Sequence, residues 1–282
     1  MSERAERAER FLTLHEGEQP LLLPNPWDQG SAKLLASLGF EALATTSSGA
    51  AATLGRLDGA MTRDEAIASA ATIVEATELP VSADLEDGFA DDPAGVAETI
   101  RAALDAGLAG ASIEDYNGSE DAPFYDIDTA SERVAAAAEV AHGGPVRLVL
   151  TARSENHLRG VTDLADTIAR LQAYQEAGAD VLYAPGLSRL EDIRQVVSSV
   201  DLPVNVLAFP NVPSVSELAA VGVRRVSVGG AFAYAALGAT VAAARELLES
   251  GTYGYLEQTG MGLQTGRSAF ASEPPAKDDS RR

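Results

Sequence analysis

Eight short apolar runs recur between Leu21 and Val228, and each is introduced by the same kind of punctuation. The runs read as strands at Leu21–Pro24, Ala42–Thr46, Val81–Asp84, Gly110–Glu114, Arg147–Ala152, Asp180–Ala184, Val204–Ala208 and Arg225–Val228. Pro20, Pro80, Pro145 and Pro203 precede the odd-numbered runs, and Gly39, Gly107, Gly178 and Gly222 precede the even ones. A Gly directly after a helix is the usual left-handed cap residue. Runs that are apolar throughout, without alternation, suit parallel strands buried on both faces. Ala-rich segments of helical length separate them, with capping-box starts at Thr62…Glu65, Thr129…Glu132, Ser188…Glu191 and Ser214…Glu217. Eight strand–helix units predict a single (β/α)8 TIM barrel over residues 19–250. An open doubly wound sheet is the alternative, but eight similar units leave no obvious edge strand. Residues 1–18 read as an N-terminal helix. Residues 251–282 read as a C-terminal extension, largely disordered, with Gly262 to Arg282 polar and broken by Pro274-Pro275.

Two of these strands end in acid. One runs Val81-Ser82-Ala83-Asp84-Leu85-Glu86-Asp87-Gly88, the other Ala111-Ser112-Ile113-Glu114-Asp115. Alternation along a strand would send Asp84 and Glu86 to the same side. Crowded carboxylates resist ionising together. A hard divalent cation relieves that repulsion, and Mg2+ favours a few carboxylates with waters and substrate oxygens. The plainer reading is helix capping, but Asp92-Pro93 already supplies a cap and a first-turn proline. Asp84 and Glu86 are therefore free for a metal.

Barrel active sites lie at the C-terminal strand ends. The other strand ends here carry Asn25-Pro26-Trp27-Asp28, Thr45-Thr46-Ser47-Ser48-Gly49, Asp58-Gly59, Thr151-Ala152-Arg153-Ser154-Glu155, Tyr183, Asn205 and Gly229-Gly230. Acids, one arginine and a hydroxyl-rich turn suit a small anionic substrate. Each also has a plain role: Arg153 as the neutraliser of the acids, Thr45 to Gly49 as an ordinary turn, Asp28 as a helix cap and Trp27 as packing. His15 and His142 read as surface residues at helix ends, whereas His157 lies near enough to reach the mouth.

With these segments in that order, the chain resembles the isocitrate lyase/phosphoenolpyruvate mutase superfamily over roughly residues 20 to 250. The matching stretches are Asn25-Pro26-Trp27-Asp28 with Ser31-Ala32, Ala44 to Gly49, Leu54-Gly55 with Asp58, Asp84 to Phe89, Ile113-Glu114-Asp115 and Ala152-Arg153. The resemblance implies a Mg2+-dependent barrel (Mn2+ also suits it) that makes or breaks C–C or P–C bonds beside a 2-oxo acid. It implies Asp84, Glu86 and Glu114 as metal-site acids and Arg153 as the substrate-carboxylate partner. Thr46, Ser47 and Ser48 would form an oxyanion-binding turn. Asp58 would support the metal or face the reacting group. It further implies a homodimer or homotetramer that exchanges the last barrel helix.

The loop after the fourth strand departs from the family's cleaving members, which carry a Lys-Lys-Cys-Gly type motif whose cysteine is the acid. Here it runs from Tyr116 to Asp126 without Cys or Lys. Tyr116 and Tyr125 are the candidate acids, since a phenol is a proton donor at neutral pH; Tyr183, Glu155 and His157 are the others. Gly118 and Pro123 suit the hinges of a closing lid. The substrate-binding set expected is Thr46, Ser47, Ser48, Arg153 and Asn205.

The chain has no cysteine, which excludes disulfides and thiolate metal sites and fits a cytoplasmic location. A net charge of −21 disfavours nucleic acid and anionic membrane as partners. No apolar stretch reads as long enough to span a bilayer. The expected activity is cleavage or formation of a C–C bond in a small 2-hydroxy or 2-oxo di- or tricarboxylate. Phosphonopyruvate-type mutase or hydrolase chemistry is the alternative, disfavoured by few basic residues at the mouth. A metabolite-binding barrel without catalysis is the third reading.

Overall fold

The structure, a computed structural model, describes residues 2–119 and 121–271. Its strands are β1 (Leu21–Leu23), β2 (Leu43–Ala44), β3 (Val81–Asp84), β4 (Gly110–Glu114), β5 (Val149–Arg153), β6 (Val181–Tyr183), β7 (Val204–Leu207) and β8 (Arg225–Ser227). The helices are α1 (Glu3–Thr13), α2 (Gln29–Ser37), α3 (Ser47–Thr53), α4 (Arg63–Glu75), α5 (Pro93–Asp105) and α6 (Ile127–His142). They continue with α7 (Leu164–Glu176), α8 (Leu190–Ser198), α9 (Val215–Ala220), α10 (Ala231–Ser250) and α11 (Leu256–Phe270).

All strand pairs are parallel, in the order β1-β8-β7-β6-β5-β4-β3-β2. The β1/β2 seam closes through one backbone bond, from Ala44 N–H to the Pro24 carbonyl at 3.0 Å. Asn25 staples the same seam. Its Nδ2 donates to the Thr45 carbonyl at 2.8 Å, and its Oδ1 accepts from Val228 N and Gly229 N, both at 2.9 Å. The result is the (β/α)8 barrel that the strand count predicts. One register row descends its wall from Arg153 through Tyr183 and Asn205 to Arg225. It begins at the C-terminal end of β5 and finishes on the first residue of β8, as the stagger of a closed barrel requires.

The main core lies between the sheet and its helices, around Leu43, Ile100, Leu108, Leu150 and Leu171. A second cluster closes the floor. There α1 buries Ala8 and Phe11 against Leu21, Leu23, Val149 and Val181. Gly110 is needed at that contact, because a Cβ there would lie 2.6 Å from the Phe11 ring. The four repeat glycines adopt φ between 85° and 100°, as cap residues should. Capping boxes form at Thr62/Glu65 and Ser214/Glu217. Asp126 caps α6 in place of Thr129, and Arg189 precedes α8 without a side-chain cap.

Three expectations need correction. The segment from Ser47 is a helix, α3, rather than a turn, with Thr46 at its N-cap. The extension from 251 is helical over Leu256–Phe270 and packs on α2, so disorder does not hold for that stretch. Residues 272–282 lie outside the described residues. Finally, α10 is 20 residues long with mean hydropathy 1.2, which is long and apolar enough to cross a membrane by length and composition. Of its residues only Ala233 is buried.

Candidate active site at the strand ends

Asp84 is the last residue of β3. Its Oδ2 accepts from Ser47 N–H (3.1 Å) and Ser47 Oγ–H (2.9 Å), and its own N–H donates to Thr45 Oγ1 at 3.0 Å. Its Oδ1 takes Nη1 of Arg153 at 2.7 Å. Arg153 ends β5 and presents Nε and Nη2 to Glu155 Oε1 at 3.0 and 2.7 Å. Nη2 also meets Glu114 Oε2 at 2.9 Å. The Tyr183 ring lies 5.2 Å from the guanidinium carbon. Burial opposes the charge on Arg153. Glu114, Glu155 and Asp84 outweigh that and hold it well above its ordinary pKa. The plain reading of Arg153 as neutraliser thus describes three of its contacts.

Glu86 sits differently from the strand-based expectation. β3 ends at Asp84, and Glu86 itself is left-handed with φ +48°, so strand alternation does not reach it. A glutamate there is rare and strained. Its backbone is held by the Glu114 N–H, 2.9 Å from the Glu86 carbonyl. Its Oε1 is buried with no hydrogen-bond partner. Burial, then Asp84, Asp58 and Asp87, push its carboxyl up to about 7. Burial likewise raises Glu114 well above the usual range, against the pull of Arg153.

An orphaned carboxylate oxygen among other acids is what a divalent ion would satisfy. Among the described residues no three His, Asp or Glu side chains converge closely enough to hold a metal ion together. Asp84 and Glu114 face Arg153 while Glu86 is free. That donor set fits a largely hydrated Mg2+, which needs only one or two carboxylates.

Thr46, Ser47, Ser48, Asp58, Arg153 and Asn205 line one cavity of about 160 Å3. Asp58, exposed, also lines the neighbouring outer recess with Glu86, Glu114 and Tyr116. Thr46 Oγ1 and Ser48 Oγ lie 3.1 Å apart. Asn205 is buried, donating to Ser227 Oγ at 2.9 Å and accepting from Arg225. Tyr116 stacks under Arg159, 3.8 Å from ring centre to guanidinium carbon. Tyr125 turns away from the mouth. Its ring lies under Arg133, its hydroxyl donates to Asp91 at 3.4 Å, and it lines neither recess. It packs the β4–α6 loop and is set aside as an acid. His157 has a buried, partnerless Nε2, and Glu155 is fully buried on Arg153. Neither lines the two recesses. Tyr183 does line the inner one, and its hydroxyl is pushed up to about 12, chiefly by burial.

Three arginines escape sequence reasoning. Arg159 lies 3.8 Å from Glu114 and 3.6 Å from Glu155, at the rim. Arg133, buried on α6, donates to the carbonyls of Ala90, Asp91 and Asp87 and so holds the acidic loop. Arg225 lies inside the barrel. His15 is not a surface residue: it is 3% exposed, beside Arg225. His142 bonds Asp180 at 2.9 Å. In the second cluster Asp115 is structural, bound by Arg170 at 3.0 Å, Tyr174 Oη at 2.6 Å and Glu155 N–H at 2.9 Å.

A parallel (β/α)8 barrel whose C-terminal mouth joins carboxylates to a buried arginine has the architecture of a small-anion enzyme. The family described as phosphoenolpyruvate phosphomutase matches residues 11–248. A Burkholderia cenocepacia J2315 crystal structure, described only provisionally as a lyase/mutase, is 50% identical with a TM-score of 0.93, over 96% of this chain and 98% of that one. Uncharacterized protein Rv1998c of Mycobacterium tuberculosis H37Rv is 32% identical over 83% of this chain and 87% of its own length. The 2-methylisocitrate lyase of Escherichia coli K12 is 30% identical over 70% and 68%. This chain belongs to the isocitrate lyase/phosphoenolpyruvate mutase superfamily.

Proposed function

We propose that this protein is a carbon–carbon lyase, dependent on Mg2+ or Mn2+, that cleaves or forms a bond in a small 2-hydroxy or 2-oxo di- or tricarboxylate with a 2-oxo acid as product. The observation that carries this reading is the buried, partnerless Oε1 of Glu86 beside Asp84 and Asp58, in a mouth centred on Arg153. Asp84 and Glu86 would hold the ion, with Glu114 reaching it partly through water. Bound there, it supplies Lewis acidity toward a carboxylate and its neighbouring oxygen.

The chain's own groups do the rest. Ser47 fixes Asp84 through two hydrogen bonds. Arg153, with Thr46, Ser48 and Asn205 on the same cavity, orients the substrate's carboxylates. Asp58, at the rim beside Glu86, takes the hydroxyl proton. Tyr116 faces the recess of Glu86 and Glu114 and carries the proton that the departing carbanion needs. The loop from Tyr116, pinned by a bridge to Phe124, serves as the lid.

A second reading is phosphonopyruvate-type chemistry. Arg159 gives the rim a second guanidinium, so the shortage of positive charge no longer weighs as heavily against it. One experiment separates the readings: incubation with Mg2+ and a panel of such carboxylates and phosphonopyruvate, with products followed by NMR. The lyase reading expects a 2-oxo acid whose release stops with EDTA and slows in Tyr116→Phe more in kcat than in KM. Phosphate or phosphoenolpyruvate formed from phosphonopyruvate overturns it in favour of the second reading. A panel that binds without any turnover makes the barrel a metabolite-binding protein.

The protein acts in the cytoplasm as a homodimer or homotetramer, without nucleic acid or membrane. Supporting the oligomer are the exposed Tyr234, Leu237, Val241 and Leu248 of α10, which at helical spacing share one apolar face that a second copy would cover.

A further inference from the structure

One guanidinium lies inside the barrel with no carboxylate against it. Arg225 opens β8 and is 3% exposed. Its Nε–H donates to Asn205 Oδ1 and its Nη2–H to Thr151 Oγ1, both at 3.0 Å. Nη1 lies 3.4 Å from His15 Nε2. Amide and hydroxyl are neutral, and so is the imidazole. Burial first, then Arg225, lowers the His15 pKa to about 4. With His15 Nδ1 2.8 Å from the Phe11 carbonyl, the ring proton belongs on Nδ1 and Nε2 offers a lone pair. A guanidinium has five N–H donors, and these contacts engage three.

The contrast with the other buried arginines is sharp. Arg153 meets Asp84 at 2.7 Å, and Arg170 meets Asp115 at 3.0 Å. Arg133 takes three carbonyls and has Asp87 in its field. Among the described residues Arg225 has no such partner. Burial lowers its pKa to about 10, and the second guanidinium at Arg153 adds to that, so it remains charged at neutral pH. A buried ion without a counter-charge is destabilising.

The same side chain lines the inner cavity. This opens at Ser47, Asp84 and Arg153 and continues down to Tyr183, Ser227 and Arg225. The register row that descends from Arg153 to Arg225 forms its wall. A planar guanidinium fork matches a carboxylate in shape and charge. We propose that the cavity floor is an anion-binding subsite in which Arg225, flanked by Asn205 and Ser227, takes a small carboxylate. The carboxylate is either a free anion or the distal group of a molecule whose other end meets Arg153. The subsite follows from the charge balance of the interior, not from the reaction, so its test needs no turnover.

Metal-free protein in EDTA would be titrated calorimetrically with acetate and with malonate, and its thermal unfolding followed in each. Wild type is expected to bind and to gain Tm. Arg225→Met should weaken binding tenfold or more and lose the Tm gain that the anion gives wild type. Its Mg2+ affinity, measured separately, should match wild type, which keeps this result apart from any failure of the metal site. If Arg225→Met does not fold, Arg225→Lys replaces it, with the charge kept, the fork lost and binding several-fold weaker. Acetate binding marks the free-anion form. Malonate binding weakened by both Arg153→Lys and Arg225→Met marks the two-ended form. No heat from either anion at millimolar concentration, or unchanged affinity in the Arg225 variants, overturns the subsite.

Discussion

Glu86 sets how the mouth responds to acid. Its carboxyl is raised from 4.5 to about 7 in the folded protein, by burial first and then by Asp84, Asp58 and Asp87. Between those pH values the folded chain binds more protons than the unfolded one. Metal-free stability therefore falls as pH rises through that window and levels off above it. Glu114, raised by burial, acts in the same direction. Thermal unfolding in EDTA should show Tm dropping across the window, and Glu86→Gln should flatten the drop while weakening the stabilisation by Mg2+. A Glu86→Gln profile parallel to wild type would assign the slope elsewhere. Arg153 is the other decisive residue. Its Nε and Nη2 meet Glu155, Nη2 also reaches Glu114, and Nη1 reaches Asp84. Lysine offers a point charge and cannot span that set. Arg153→Lys is expected to fold at lower Tm and to lose about 2–4 kcal/mol of transition-state binding. Near-normal kcat/KM on the identified substrate would end that role. Arg153 was legible because it follows an apolar run in a known motif. Arg225 was not: the pattern makes it the first residue of the eighth strand without telling whether its side chain points into the barrel.

At the scale of elements, the punctuated strands were legible and the unpunctuated helices were not. β3 and β4 lie where Pro80 and Gly107 predict them, because a proline and a left-handed glycine set where a strand can begin. The helix α3 starts with Ser-Ser-Gly, which has turn-like propensity, yet Thr46 caps it and Gly49 packs tightly on Trp27 and Ala233. The sequence of α11 holds Gly260, Gly262 and Gly266, each weakening a helix by about 1 kcal/mol. Its packing on α2 overrides that propensity. The β1/β2 seam was invisible to pattern reading, since Asn25 looked like a site residue. Its three hydrogen bonds make it a structural staple. Asn25→Ala would leave the Val228 and Gly229 N–H groups and the Thr45 carbonyl without that partner. Unsatisfied buried groups cost about 1–3 kcal/mol each, and the part-buried Val228 and Gly229 N–H groups recover some of that from water, so a loss on the order of 2–4 kcal/mol is expected in urea unfolding. A loss under about 0.5 kcal/mol, the surface-substitution scale, would show that water replaces the staple.

The whole molecule carries a net charge of −21, yet its longest helix turns an apolar face outward. Sedimentation of the full chain should give a dimer or tetramer, and Leu237→Glu with Val241→Glu should shift it toward monomer without unfolding the barrel. A wild-type monomer at micromolar concentration would refute the association. The floor of the barrel has a consequence in time. Phe11 and His15 dock early residues of the chain against β1, β5, β6 and Arg225, and the His15–Arg225 pair spans 210 residues of sequence. At about 5–20 residues per second on the ribosome, the first helix emerges roughly 10–40 s before its last docking partner exists. During that interval its apolar stripe is open to water and to passing chaperones, so this barrel is sealed at its floor by a segment made before the strands it seals.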